Sequence, residues 1–412
     1  MSKWEMAAIP DLLFFQEGPG VRNTQYTTSG VKLINVANLQ EGKVDLSTSD
    51  RFISEEEAYG KYKHFLVDDG DFIIASSGIQ VDYFEKKMGF VSSSQLPLCM
   101  NTSTIRFKSL DNNRLNIRFF MYYLKTIQFK EQLSRLITGT AQLNFGPSHI
   151  KRINIPLPPL SIQQKIADVL DRASALIEKR KAQIEKLGLL VKSRFVEMFG
   201  DPVTNPMGWG EKTFNEVCEV IYRYPTFYGF SYVENGIPVV RIGDISENGE
   251  IIYRKDDYVH IESEVNAKYP ITQLRMCDVL MAVRGDGSTV KRIGKVIDPE
   301  LINANISPNL LLMRADNKIV TSNYFFTFVT SSGGQKRLEQ YVTKTAKRTI
   351  TARDVKTVLI PVPPLALQNR FAEFVRQADK SKSEMQRGLD KLEQLYKSLM
   401  QKCFSGEMIT NG

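Results

Sequence analysis

Two stretches of this sequence hold the residue types that grip phosphates. Arg284-Gly-Asp-Gly-Ser288 could pass for a phosphate cradle, since glycines let backbone amides approach closely while arginine and serine supply donors. Ser331-Ser-Gly-Gly-Gln-Lys-Arg337 has the pattern of an ATPase signature loop. Neither is accompanied by a G-x-x-x-x-G-K-[ST] loop, so nucleotide hydrolysis is not expected. Cys99, Cys218, Cys277 and Cys403 form no C-x-x-C pair, and His64, His149 and His260 are scattered, so no metal site is expected. Three histidines are too few to anchor a Ser/His/Asp arrangement, and no pair of carboxylates stands out. Pro158-Pro159 and Pro363-Pro364 lack the preceding Asn or Asp of a base-amine methylation motif, and no cofactor-binding glycine loop is present. The chain reads as a non-catalytic protein with no cofactor.

What the sequence does carry is a repeat. Ile155-Pro-Leu-Pro-Pro-Leu160, followed by Ser161-Ile-Gln-Gln-Lys-Ile-Ala167, returns as Ile360-Pro-Val-Pro-Pro-Leu365 and Ala366-Leu-Gln-Asn-Arg-Phe-Ala372. At the spacing of Pro156 to Pro361, Gln163 meets Gln368, Ala167 meets Ala372, Lys186 meets Lys391, Leu187 meets Leu392, Ser193 meets Ser398 and Phe199 meets Phe404. Upstream, Thr140-Ala141 meets Thr345-Ala346, and Asp71-Phe-Ile-Ile-Ala75 meets Asp278-Val-Leu-Met-Ala282 with a small drift. Loop insertions produce drift of that kind.

Each copy needs two kinds of element. Short apolar runs bounded by Gly, Ser, Asn and Asp read as strands. They are Lys32–Val36, Phe72–Ala75 and Thr104–Phe107 in the first copy, and Val239–Ile242, Val279–Ala282 and Leu310–Met313 in the second. Helical stretches follow near Ile117–Ile137 and Tyr324–Val342, which makes each globular part α+β. Then comes a long helix. Prolines 156, 158 and 159 hold its approach extended, and Ser161 with Gln164 reads as a capping box; Ala366 weakens the second cap.

The long helices carry an apolar stripe at alternating spacings of four and three. It runs Ile166, Leu170, Ala173, Ile177, Arg180, Ile184, Leu187, Val191, Met198, and again Phe371, Val375, Ala378, Lys382, Met385, Leu389, Leu392, Tyr396, Leu399, Cys403. One amphipathic helix could pack on its own globular part. A stripe this long, present twice, is better satisfied by an antiparallel coiled coil of the two helices, with an approximate internal twofold. Each rod would be roughly 60 Å at ~1.5 Å per residue. Arg180 and Lys382 fall on the stripe, where they must snorkel or meet a partner. The expected plan is α+β: residues 1–155 and 201–360 as two tandem globular domains, with 156–200 and 361–412 as the helical regions.

The whole-chain balance agrees. The 412 residues include 54 Lys and Arg against 46 Asp and Glu, a net charge of +8, with an ordinary globular share of apolar residues. A modest basic excess fits a nucleic-acid binder without requiring one. Met1–Pro10 has no basic-then-apolar arrangement and no apolar run is long enough for a membrane span, so a cytoplasmic protein with no membrane partner is expected.

Residues Ile155–Phe199 with Gly200-Asp201-Pro202, and Ile360–Phe404 with Ser405-Gly406-Glu407-Met408, resemble the two repeated regions of type I restriction-modification specificity subunits. The Gly139-Thr-Ala-Gln142 element before the first hinge matches too, and the resemblance covers nearly the whole chain. It implies that the globular parts are target-recognition domains, each reading one half of a split sequence in double-stranded DNA. It further implies that the helical pair sets the gap and docks two methyltransferase subunits, with motor-nuclease subunits joining for cleavage. Unlike domains imply unlike half-sites, hence a bipartite, non-palindromic target. A methyltransferase or nuclease in its own right and a coiled-coil scaffold with no DNA role are the alternatives. The absent motifs speak against the first.

Under that resemblance, phosphates need Lys, Arg and backbone amides, and base edges need Arg, Lys, Asn, Gln, Ser or Thr. Loops just after core strands and the segments before the hinges are the best places for them. The candidates are Tyr26, Thr27, Thr28, Ser76, Ser77, Gln80, Thr140, Gln142 and Asn144 in the first domain. In the second they are Arg223, Tyr224, Arg284, Ser288, Lys344, Lys347, Arg348 and Thr349. Lys344–Thr349 is the most basic and hydroxyl-rich of these segments.

Overall fold

Fully apolar tetrapeptides such as Phe72–Ala75 and Val279–Ala282 have no polar face to offer water, so each must lie inside a sheet covered on both sides. The computed structural model describes residues 4–40, 42–79, 81–137, 143–223, 231–285, 289–343 and 348–407. Two compact units emerge: Met1–Arg180 with Gly388–Gly412, and Lys181–Arg387. The long helices therefore contribute a half each to both units. Among the described residues no helix is long and apolar enough to cross a membrane.

In the first unit the main sheet consists of β1 (Leu13–Glu17), β2 (Phe72–Ala75), β3 (Met88–Phe90) and β4 (Thr104–Ser109) in the order β1-β4-β2-β3, all antiparallel. Two short helices cover it, α1 (Ile117–Leu124) and α2 (Ile127–Leu136). Phe120 of α1 is buried and meets Phe72 edge-on at 6.2 Å and Phe107 at 5.1 Å. A smaller sheet places Val31–Ile34 between parallel Leu98–Met100 and antiparallel Phe52–Ile53. Met6–Ala8 pairs with Asn154–Pro156, tying the start of the domain to the hinge before the first long helix, α3 (Leu160–Phe199).

The second unit repeats this plan. β5 (Cys218–Arg223), β6 (Val279–Ala282), β7 (Ile293–Val296) and β8 (Leu310–Ala315) run β5-β8-β6-β7, with Glu250–Ile251 added at the β7 edge. Helices α4 (Ser322–Thr330) and α5 (Ser332–Glu339) follow. Ile237–Val240 stands between parallel Asn305–Ile306 and antiparallel Val259–Ile261. Glu211–Thr213 pairs with Leu359–Pro361, the hinge before the second long helix, α6 (Leu365–Ser405).

The helical stretches near Ile117–Ile137 and Tyr324–Val342 are each two helices, because Thr126 and Ser331 turn extended and cap the second one, accepting from Phe129 N and Gly334 N. Two sequence expectations are corrected. The strand runs at Lys32–Val36 and Val239–Ile242 begin and end earlier, at Val31–Ile34 and Ile237–Val240, and tight turns follow. The capping box of Ser161 and Gln164 does not form. α3 already begins at Leu160, so Ser161 lies inside it, and Gln164 instead accepts from Asn116 Nδ2 and donates to Asp168.

A different glutamine holds each long helix to its domain. Gln163 Oε1 accepts from the Asn116 amide at 2.9 Å, and its Nε2 donates to Arg114 O and Pro158 O. Gln368 does the same with Thr321 N at 2.8 Å, Ile319 O and Pro363 O. Both are fully buried. Within each unit the start of one long helix meets the end of the other, so they run antiparallel there. In the first, Ile166 and Leu170 share a core with Tyr396, Leu399, Cys403 and Phe404. In the second, Phe195 and Phe199 pack on Phe371 at 5.6 and 5.4 Å. Every residue of the predicted stripe is at least half-buried. Arg180 extends over Gly388, where a Cβ would stand 3.3 Å from its Nη1, and Lys382 pairs with Glu250 at 2.6 Å.

Candidate nucleic-acid interface

The main sheets gather the candidate residues through their register. In the first unit Glu17 faces Ile105, and on the next rung Thr104 faces Ala75, so the end of β1, the start of β4 and the end of β2 share one end of the sheet. Beyond it the chain turns at Gly78, whose φ of 71° favours glycine. Residues Ser77–Ile79 then pair with Leu143–Asn144. Ser77 Oγ donates to Asn144 Oδ1 at 2.8 Å, and the Gly78 amide reaches the same oxygen at 3.4 Å. Ser76 is buried and its Oγ lies 3.4 Å from Glu17 Oε1. Candidates 67 residues apart in the chain, Ser77 and Asn144, thus form one polar cluster with Ser76.

Tyr26 is half-buried, and its hydroxyl accepts from Asn101 Nδ2 at 3.2 Å while the Arg51 guanidinium lies over its ring at 5.2 Å. Thr27 is bridged to Phe52 on the smaller sheet, and both it and Thr28 are exposed. Tyr26 therefore holds structure as well as offering an aromatic edge. Thr27 Oγ1 already donates to Ser29 O at 2.7 Å, which leaves exposed Thr28 as the freer donor among the described residues.

The second unit assembles the same end with different chemistry. Arg223 faces Leu311, and on the next rung Leu310 faces Ala282. Arg284 is bridged to Thr349, the Ile350 amide donates to Val283 O, and Thr289 Oγ1 donates to Arg348 O at 2.9 Å. Arg223 Nε donates to Pro308 O at 2.9 Å. Arg284 is exposed, and Arg223 and Arg348 are half-buried. Three arginines thus stand at this sheet end, where the first unit has hydroxyls, an amide and a carboxylate. Guanidiniums suit phosphates and guanine edges; hydroxyls and amides suit several bases. Gln80, Thr140, Gln142, Tyr224, Ser288, Lys344 and Lys347 lie outside the described residues.

Sequence reasoning passed over Glu17, Arg51 and Asn101. Glu17 ends its strand immediately before Gly18, and matching β1 to β5 would have flagged it beside Arg223. Both phosphate-loop decoys have structural explanations. Gly333 and Gly334 leave no room for a Cβ, which would meet Pro202 Cδ at 2.9 Å and Phe328 O at 2.0 Å. Arg337 binds Pro202 O, Leu359 O and Glu211 rather than facing a nucleotide. Arg284 and Gly285 lead into the Thr349 bridge.

The family described as the type I restriction modification DNA specificity domain matches residues 1–186 and again residues 206–394. The type I restriction enzyme EcoBI specificity subunit of Escherichia coli is 25% identical over 349 residues, 76% of this chain and 70% of that protein. The StySPI specificity subunit of Salmonella potsdam is 22% identical over 401 residues, 91% and 82% of the two chains. Among solved structures, a chain from a study of type I restriction-modification complex assembly superposes with a TM-score of 0.55 at 18% identity, covering 98% of each chain. The type I restriction-modification S subunit from M. genitalium gives 0.53 at 15% identity over 98% and 96%. These superpositions support the fold. With two matches spanning most of its length, the chain belongs to the type I restriction-modification DNA specificity family.

Proposed function

We propose that this protein acts as the DNA-specificity subunit of a type I restriction-modification complex, each globular domain reading one half of a bipartite, asymmetric target. The domains are residues 1–155 and 201–360. The helical regions 156–200 and 361–412 set the gap between the halves and dock two methyltransferase subunits, and motor-nuclease subunits join for cleavage. The chain works in the cytoplasm on double-stranded DNA and is itself non-catalytic. Arginines, lysines and backbone amides at the sheet ends hold phosphates and fix register, while side chains beside them read base edges.

The observation that carries this reading is the contrast between scaffold and sheet end. The strands, their register and the buried glutamines repeat from one unit to the other. The polar residues at the same sheet end do not: Ser76, Ser77 and Asn144 stand against Arg223, Arg284 and Arg348. A duplicated frame with two different polar surfaces is what reading two different half-sites requires.

The test is to express the chain with its methyltransferase and map modified bases genome-wide. Two unlike sequence blocks at a fixed gap are expected; one continuous motif, or none, would overturn the reading. A second measurement places the phosphate contacts. Replacing Lys347 and Arg348 together by alanine should weaken binding on all sequences and lower the slope of log K against log salt by about 1–2, at ~0.9 per phosphate contact. An unchanged slope would remove the Lys344–Thr349 segment from the interface.

A further inference from the structure

The strand that begins each main sheet ends on an ionisable side chain, and the two are opposite in charge. β1 ends at Glu17 and β5 at Arg223. Register makes these the same position: each sits one rung from the Thr104–Ala75 or Leu310–Ala282 pair that closes the sheet end. Both are half-buried, so each is aimed by its surroundings and still reachable.

Neither charge is neutralised among the described residues. Among the described residues Glu17 has one side-chain hydrogen bond, to Ser76 Oγ at 3.4 Å. Gly146 passes close by, where a Cβ would stand 3.4 Å from Glu17 Oε2. Arg106 on the adjoining strand is engaged elsewhere, by His64 O, Leu66 O, Gln16 and Asp71. Arg223 uses Nε on Pro308 O, which orients the guanidinium and leaves both terminal nitrogens without a partner among the described residues.

A carboxylate facing phosphates is repelled unless it meets a donor. In the major groove the donors are the exocyclic amines, cytosine N4 and adenine N6. A guanidinium held by its Nε, with two terminal nitrogens left to donate, matches the O6 and N7 acceptors of guanine. From these geometries we infer that Glu17 and Arg223 are matched specificity positions. Glu17 accepts from a base amine in one half-site, and Arg223 donates to a guanine in the other. This rests on the proposed DNA-reading role and adds which atoms are read. The charge at one scaffold position selects the hydrogen-bonding character of one base in each half.

The experiment uses the full chain in complex with its methyltransferase and maps modified bases for the wild type, Glu17→Gln, Arg223→Lys and Arg223→Gln. Arg223→Gln should lower discrimination for guanine at one position of one half by on the order of 10-fold, with the other half unchanged. Arg223→Lys keeps the charge and loses the fork, so it should weaken the same single position. Glu17→Gln offers a donor as well as an acceptor and should relax one position of the opposite half. Motifs identical to wild type in both halves would overturn the inference while leaving the DNA-reading role intact, and so would motifs blurred equally in both halves. A wild-type map without a bipartite motif would instead sink the role itself. Should a variant modify nothing in cells, binding of the purified complex to duplexes altered at each target position decides. Loss confined to one position supports the assignment, and equal loss on all duplexes overturns it.

Discussion

The two main sheets face the same electrostatic problem and solve it with different residues. Each has an aspartate, Asp71 or Asp278, just before its central strand and almost wholly buried. In the second unit Arg314 is the one cation paired with Asp278 among the described residues, with Nε to Oδ1 at 2.8 Å and Nη2 to Oδ2 at 2.7 Å. In the first unit the equivalent register position holds Lys108, 3.3 Å from Asp71 and shared with exposed Asp68, and Arg106 adds a second cation at 3.4 Å. The duplication has kept a requirement, a compensated buried carboxylate, while the side chains meeting it drifted. The polar residues at the sheet ends differ more still, with Ser77 and Asn144 in the first unit against Arg223, Arg284 and Arg348 in the second.

That difference can be broken directly. Arg314→Met leaves Asp278 buried with no cation, and removal of one partner of a buried pair costs about 3–5 kcal/mol. Lys108→Met leaves Arg106 beside Asp71 and removes a cation that is a third exposed, so its cost should stay near 1 kcal/mol. Denaturant unfolding of the two variants, followed at both units, should show the larger loss in the second. Equal losses would mean that Lys108, not Arg106, carries the compensation for Asp71.

The buried glutamines supply the opposite comparison, since their hydrogen bonds match almost atom for atom. Gln163→Leu strands the Asn116 amide and two carbonyls, and Gln368→Leu strands the Thr321 amide and two carbonyls. A stranded buried donor or acceptor costs about 1–3 kcal/mol, and partial access to water lowers the sum, so a loss of about 2–3 kcal/mol is expected from each. The two losses should agree within about 1 kcal/mol. Thermal unfolding of the single variants measures this. A large imbalance would show that one domain leans on its long helix far more than the other.

How much of this was legible beforehand follows the range of the interactions. Phe72–Ala75 could be placed to the residue because Asp71 and Ser76 bound the apolar run, and Val279–Ala282 because it repeats that run after Asp278. The long helices and their stripe were legible because a helical period is local and was written twice. The Gln163–Gln368 match was visible as a coincidence in spacing, but its meaning needed the backbone 47 residues away. The Ser161 capping box failed because the Pro159 carbonyl already serves the first helical amides, accepting from Ile162 N and Gln163 N. At the candidate site, the loop after each central strand and the segment before each hinge were named separately from residue chemistry. Their adjacency is a sheet pairing between distant residues, which no local pattern encodes. Glu17 escaped for the same reason: an acidic strand end next to glycine is unremarkable until its rung is known to be the rung of Arg223.

The smallest expected effect concerns a place where the units diverge within the scaffold. The stripe of α3 has buried Ile177 where that of α6 has Lys382. The lysine does not snorkel into solvent; it reaches Glu250 on the added edge strand at 2.6 Å. In the first unit the corresponding hairpin, Leu39–Gln40 with Lys43–Val44, forms a separate two-stranded sheet rather than an edge of the main one. The ion pair thus accompanies the extra strand. Its side chains retain 22% and 31% of their exposure, which leaves water and salt to screen most of the attraction. A double-mutant cycle of Glu250→Ala and Lys382→Ala should give a coupling below about 1 kcal/mol that shrinks further as salt is raised. A coupling above about 2 kcal/mol, insensitive to salt, would mean that the pair is effectively dry. The edge strand would then be a fixed part of the grip between the second domain and its helix rather than an addition to its sheet.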